Sequence, residues 1–408
     1  MKRILSACAV LVIAALVFVG AGEGVLRAAG YSAPIWFGPD PQLGWAMRPG
    51  VEGWYTSEGR AYVKVNAAGF RDRSHALDKP TGVYRVAVVG DSAVEARQVE
   101  MKAAFWSRLE DKLRSCPALG GREVEVLAFG VSGYGTAQQY LLTESTALRY
   151  QPDLVLLAFA GNDVVNNSAR LESENERPFF LPDGEGLRLD TSFTGRREFL
   201  NRSSNLFETY RSASDWLRVV QLVQAARHGV QIWREASAAP ADGAQGRKRV
   251  PGVEPSAHIA VFAPPQDAAM EEAWTITERI TAQLNRLAAR HNARFALTLI
   301  THSAQVDPDR STRTNLQDAL GVQDVFYMDR RLAALGEREG FTVIPLAPEL
   351  QRRADAGQIY FHGFPNYRKG WGHWNDAGHE AAAEIIAPRL CAQVEPAGQF
   401  RHASAAAR

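Results

Sequence analysis

The chain has 408 residues, of which 46% are hydrophobic and 22% charged, enough apolar side chain to fill a sizeable core and the wrong balance for a disordered chain. Its 46 Lys+Arg stand against 45 Asp+Glu, so no global field favours nucleic acid or another polyanion, and nucleic acid is set aside as a partner. No CxxC, no HExxH and no tight His/Cys cluster is present, so neither a metal nor another cofactor is expected.

Met1-Lys2-Arg3 precedes an apolar run from Ile4 to Gly20. A positive start held on the cytoplasmic side sends the rest of the chain across the membrane, so residues 1–28 read as an export signal. An uncleaved anchor is preferred over a cleaved signal peptide, because the run is long enough to span with modest tilt. The expected location is therefore the bacterial inner membrane, facing the periplasm or exterior, or secretion if the signal is cut. Cys8 lacks a preceding apolar region and is not read as a lipidation site. Export would permit a disulfide between Cys116 and Cys391, but buried free thiols are the reading adopted.

Residues 29–80 form a β-rich lead-in, with Gly, Pro and aromatics throughout and strand-compatible text at Ala61 to Val65. From Tyr84 the period changes. Val86 to Val89, Val124 to Phe129 and Leu154 to Ala160 are short apolar runs, the first followed by a helical stretch at Ala103 to Leu113 and the second by one ending near Arg149. Later come a helix near Ala269 to His291, a strand at Phe295 to Ile300, a helix near Asp329 to Glu339, a strand at Phe341 to Leu346 and a closing helix from about Asp376. Unalternating strands between amphipathic helices predict a parallel sheet covered on both faces, a three-layer α/β/α sandwich over residues 81–395. Residues 168–265 break that rhythm and read as an insertion, helical from Glu198 to Trp233 and then a flexible loop rich in Ala, Gly and Pro. Residues 396–408 read as a flexible tail.

Functional loops of such sheets lie at the carboxyl ends of the strands. Ser92 follows a strand directly, in Val88-Val89-Gly90-Asp91-Ser92, where a serine can serve as a nucleophile or merely cap a turn. The segment is not the Gly-x-Ser-x-Gly elbow, since Val94 fills its last position. Neither glycine loop, at Gly90 or at Gly130 to Gly135, spells the dinucleotide fingerprint.

Four segments taken together resemble, in order, the blocks of the SGNH/GDSL hydrolases: Val86 to Glu95, Phe129 to Thr136, Pro152 to Val164 and Gly372 to His379. The likeness covers most of Tyr84 to Leu390 apart from the insertion, and Leu43-Gly44-Trp45 and Asn66 to Arg71 resemble the lead-in of membrane-anchored envelope members. The resemblance implies a flavodoxin-like sandwich and a serine esterase acting through an acyl-Ser92 intermediate. Ser92 would be the nucleophile and His373 the general base, with the Ser92 N–H, the Gly133 N–H and the Asn162 amide as oxyanion hole. An acylated envelope polysaccharide, most simply an O-acetyl ester, is the implied substrate class. An O-acyltransferase using the same residues and a non-catalytic glycan-binding protein are the alternatives.

One departure stands out. The family commonly carries Asp three or two residues before the catalytic His, and these positions are Gly370 and Trp371. Three explanations are open: a Ser/His dyad oriented by a carbonyl, a carboxylate recruited from elsewhere, or a degenerate enzyme. Asp91, Asp376 and His362 are accessory candidates, with Asp91 expected to brace its loop and Asp376 to cap the last helix; for His362 an ordinary loop histidine is preferred over a residue that lines the site. His379 is expected to pack structurally, and Arg71 to pair with an acid.

Overall fold

The computed structural model describes residues 2–238, 250–255 and 257–394. Five parallel strands form the central sheet: β1 (Val83–Gly90), β2 (Glu123–Gly130), β3 (Leu154–Phe159), β4 (Arg294–Leu299) and β5 (Thr342–Pro345). Their order is β5-β4-β3-β1-β2, so β1, which ends at the expected nucleophile, lies inside the sheet between β3 and β2. Val88 faces Ala128 on one side and Leu156 on the other.

Both faces of β1 are apolar because both are covered. Ala87 and Val89 join a core built with Leu141, Trp274, Ile280 and Leu332, from helices Thr136–Ser145, Ala268–Arg290 and Tyr327–Glu339. Val86 and Val88 join a second core with Trp106, Leu109, Leu350 and Ile386, from helices Phe105–Leu113, Ala347–Gly357 and Asp376–Cys391. Each such large side chain gains about 1.5–3 kcal/mol on leaving water, and the two layers fix the α/β/α sandwich expected from the sequence.

Helices Arg310–Leu320 and Ala347–Gly357 were not expected. The first carries few apolar residues, Leu316 alone being both large and buried, so its periodicity is weak. Cys116 and Cys391 are bonded as a disulfide with Cα atoms 5.6 Å apart, which corrects the reading of free thiols. The bridge ties the loop after Phe105–Leu113 to the end of Asp376–Cys391, two helices that pack together.

The lead-in consists of two antiparallel hairpins, Phe37–Asp40 with Gly44–Met47 and Glu52–Tyr55 with Ala61–Lys64. In the insertion, a hairpin of Phe179–Asp183 with Gly186–Asp190 precedes helices Asn205–Trp216 and Arg218–Ala238. Residues 239–249 of the expected loop and the tail from 395 lie outside the described residues. Past the loop, Val253, Val261 and Phe262 are buried in the first core.

Residues Lys2–Ala28 form one helix, and Val10, Leu11, Leu16 and Phe18 stand exposed on it. Among the described residues no helix is long and apolar enough to cross a membrane. The side chains of residues 2–5, 7–9, 12 and 15 of this helix lie outside that description.

Candidate active site

The strand β1 ends at Gly90, and Ser92 opens a one-turn helix, Ser92–Glu95, whose N-cap is Asp91. Asp91 Oδ1 accepts from the Ala93 N–H at 2.9 Å and Asp91 Oδ2 from the Asn162 amide at 3.1 Å. The carboxyl is buried, and burial raises its pKa. Both its oxygens hold the loop rather than reach the histidine, so Asp91 braces the turn at Ser92.

At the other end of this turn Arg71, 2% exposed, donates to the carbonyls of Glu95, Ala96 and Val99. Burial lowers its pKa to about 10. It pairs with backbone oxygens rather than with the acid expected, capping the carbonyls left free where the short helix ends.

His373 sits in the loop before the last helix. Its Nε2 lies 2.8 Å from Ser92 Oγ. Its Nδ1 lies 2.5 Å from Glu58 Oε2, and its backbone N–H donates to Glu58 Oε1 at 2.5 Å. Glu58 is a residue that the sequence reading missed. It stands at the tip of the second lead-in hairpin, between Tyr55 and Ala61, and its side chain is 8% exposed. Because the carboxylate accepts the Nδ1–H, Nε2 is left as the acceptor for the serine hydroxyl. Burial works against the imidazolium, but the Glu58 hydrogen bond and charge, with Asp91 and Glu254 behind them, outweigh it and raise the His373 pKa.

The residue directly before the histidine makes room for this carboxylate. Gly372 has φ +74°, and a Cβ built on it would lie 2.1 Å from Glu58 Oε1. Glu58 therefore occupies the space that a side chain beside the histidine would need. Asn366, in the same loop, clamps the hairpin tip: its amide donates to Thr56 O at 2.9 Å and Gly59 O at 2.8 Å, and its Oδ1 accepts from the Gly59 N–H at 2.9 Å. On the opposite side Glu254, from the end of the insertion, accepts from the Gly372 N–H at 2.8 Å.

Asn162 begins the short helix after β3. Its amide nitrogen lies 3.1 Å from Asp91 Oδ2 and 3.0 Å from Asn166 Oδ1, so both amide hydrogens are engaged. Gly133 has φ +81°, and a Cβ there would come within 3.2 Å of Trp45. The loop around it is pinned by the Ser132 N–H donating to Glu95 at 2.5 Å and by Trp45 Nε1 donating to Ser132 O at 3.0 Å. Gly133 does not line the cavity at Ser92, whereas Asn162 does.

That cavity, of about 130 Å³, is walled by Phe262, Ile300, His302, His362 and Trp374 together with Ser92, Asn162 and His373. His362 Nδ1 lies 2.6 Å from Gly372 O, an acceptor only, and its Nε2 lies 3.0 Å from Thr301 Oγ1. Thr301 also accepts from Trp374 Nε1 at 2.8 Å, so its hydroxyl proton goes to His362 and the imidazole is the neutral Nδ1–H tautomer. Burial lowers the pKa of His362 to about 3. His379 also lies behind the site as a neutral ring, its Nδ1 accepting from Phe105 N–H at 3.1 Å and its pKa lowered by burial to about 3. Asp376 is exposed and follows the true cap, Asn375, whose Oδ1 accepts from Ala377 and Gly378; it takes no part in the site. Among the described residues no group of three or more His, Cys, Asp or Glu side chains could hold a metal ion.

A serine, an imidazole and a carboxylate in hydrogen-bonded sequence on an α/β/α sandwich define a serine-hydrolase constellation. The pattern of the GDSL-like Lipase/Acylhydrolase family matches residues 88–322, and the chain belongs to that family; it is an ester-hydrolysing enzyme. The matched segment contains Ser92, Gly133 and Asn162 and ends before His373. Among solved structures the chain is similar to the acetyl xylan esterase AlAXEase, at 12% identity and TM-score 0.37 over 75% of this chain and 99% of that one. A catalytic mutant of Axe2, an acetylxylan esterase from Geobacillus stearothermophilus, matches at 11% identity and TM-score 0.38 over 75% and 94%. The lipase/acylhydrolase from Enterococcus faecalis matches at 12% identity and TM-score 0.35 over 77% and 98%. These likenesses are too distant to carry a substrate to this chain. No curated protein matches it.

Proposed function

We propose that the enzyme cleaves short acyl esters, most simply O-acetyl groups of an envelope glycan, through an acyl-Ser92 intermediate. The observation that carries this reading is the relay Ser92–His373–Glu58, with its 2.8 Å and 2.5 Å contacts. Ser92 Oγ attacks the ester carbonyl carbon while its proton passes to His373 Nε2, and Glu58 stabilises the imidazolium without taking the proton. The oxyanion is received by the Ser92 N–H and by the Asn162 amide, which exchanges one of its two present acceptors for it. One such donor is worth about 3 kcal/mol. Collapse expels the alkoxide, protonated by His373, and water activated by the same histidine then releases the acid.

The size of the cavity supports a short acyl group: about 130 Å³ beside Ser92 is small against the roughly 300–1,000 Å³ of sites for drug-sized ligands. An envelope location, with residues 2–28 as the anchor of a membrane-attached branch, is supported by the basic start, the apolar run and the disulfide of Cys116 with Cys391, a bond kept in oxidising compartments.

The test is turnover of p-nitrophenyl acetate by the full chain with an acid quench and mass spectrometry of the peptide around Ser92. Acetylation of Ser92 that vanishes in Ser92→Ala and accumulates when water attack is slowed supports the mechanism. Turnover indifferent to Ser92 would overturn it.

A further inference from the structure

A second cavity, about 1230 Å³, lies beside the active site and shares no lining residue with the small one. It runs between the end of the first helix, the two lead-in hairpins and the helices of the insertion. Its walls include Arg60, Arg97, Arg202, Arg211 and Arg227 and, among the described residues, no Asp or Glu. That is a sharp local departure from a chain with 46 basic and 45 acidic residues. Arg97, Arg202 and Arg211 are paired with Glu95, Glu176 and Glu208, carboxylates that stand outside the lining. Arg60 and Arg227 are exposed and have no ion-pair partner among the described residues. A cavity lined by one sign of charge raises the local concentration of the opposite one.

Aromatic side chains, among them Trp36, Phe37, Trp54 and Tyr55, form part of the remaining wall. The Arg97 guanidinium lies 4.9 Å from the Tyr55 ring, 5.1 Å from Phe37 and 5.8 Å from Trp36, and Arg60 lies 4.6 Å from Trp54. Arginines laid on rings keep their planar forks ordered for carboxylates, and the uncovered ring faces offer flat apolar area to the C–H faces of sugars. Two walls connect this cavity to the chemistry. Thr56 and Ser57 line it from the hairpin that carries Glu58, and Trp45, another wall, donates to Ser132 O beside Gly133.

We infer that this cavity binds an acidic glycan, a chain of sugars bearing carboxylates, and lays its ester groups beside Ser92. The inference rests on the proposed esterase reading and adds the carrier. A long-chain lipid ester fits poorly, since the cavity at Ser92 holds only a short acyl group, whereas about 1230 Å³ accepts several sugar units.

The experiment uses the full chain in detergent carrying Ser92→Ala, titrated by tryptophan fluorescence with an oligogalacturonate and with a neutral xylo-oligosaccharide of equal length. Saturable binding of the acidic oligomer, at least about tenfold tighter than the neutral one and weakened when NaCl rises from about 0.05 M to about 0.5 M, is expected. The double variant Arg60→Gln, Arg227→Gln should lose about tenfold of that affinity while its thermal midpoint stays put. Equal affinity for both oligomers, or indifference to the two arginines, would overturn the inference. Ser92-dependent turnover of p-nitrophenyl acetate by the unmutated chain is read separately. If turnover persists without selective binding, only the glycan inference falls; if binding persists without turnover, it is the esterase mechanism that falls.

Discussion

The family core and the lead-in reach the same active site by different routes. The core contributes Ser92, Asn162 and His373 at the ends of strands and at a helix start, positions that the sandwich topology itself brings together. The lead-in contributes Glu58 at a hairpin tip and Arg71 under the turn that begins at Ser92, neither of which any sheet connection places there. Glu58 arrives because its hairpin is clamped by Asn366 and because glycine at 372 leaves room for it. The hydrogen-bonded row of Ser92, His373 and Glu58 is therefore an assembly of two regions, in which, on the proposed mechanism, the core holds the reacting atoms and the lead-in sets the state of the base.

The comparison breaks most sharply at Ser92. Ser92→Ala removes the proposed nucleophile and should cost about 10⁵-fold or more in kcat, measured on p-nitrophenyl acetate. Glu58→Gln tests the lead-in at equal volume. It removes the carboxylate that holds the Nδ1–H and stabilises the imidazolium, and a loss of about 10²–10⁴ in kcat is expected. The pH profile separates this role from a structural one. His373 must be neutral to act as base, and its pKa is raised by Glu58, so the acid limb of kcat/KM lies above the ordinary histidine value near 6.5. Without the carboxylate the limb should move to lower pH. An unchanged limb with a collapsed rate would show that Glu58 only supports the loop.

Asn366→Ala should have a smaller effect, about 10-fold in kcat with KM nearly unchanged, because the hairpin tip loses its clamp while Glu58 keeps its charge. A parallel fall in thermal stability as large as the loss in rate would instead place Asn366 in the fold rather than in positioning.

The core was legible because its signals are local. Val86 to Val89, Gly90-Asp91-Ser92 and Leu154 to Ala160 announce strand and loop within a few residues, and the ordered segments around Gly133, Asn162 and Gly372 point to one site. Glu58 was not legible in the same way, for its contact with His373 spans 315 positions, and an acid between two short β-compatible runs reads as an ordinary hairpin tip. The signal that existed was negative: glycine at 370 and tryptophan at 371, where a carboxylate is usual, left a recruited acid among the open explanations without naming it. Arg71 was placed against an acid because a buried guanidinium most often has one, and the carbonyls at the end of a one-turn helix were invisible until the turn was seen. The large arginine-lined cavity was hidden by the balanced charge of the whole chain.

The disulfide of Cys116 with Cys391 closes a separation of 275 residues, and it gives the comparison its mildest test, since it lies in the core and away from the relay. It ties the base of the helix that follows His373 to the layer behind Ser92, so its loss should be felt in the unfolded chain far more than in the site. Cys391→Ser is expected to lower the unfolding free energy by about 2–4 kcal/mol, read from denaturant midpoints at constant slope, while kcat at room temperature changes less than about twofold. A large loss of kcat in a folded Cys391→Ser protein would mean that the position of His373 depends on the far end of its helix, and the division between a self-sufficient core and an adjusting lead-in would have to be redrawn.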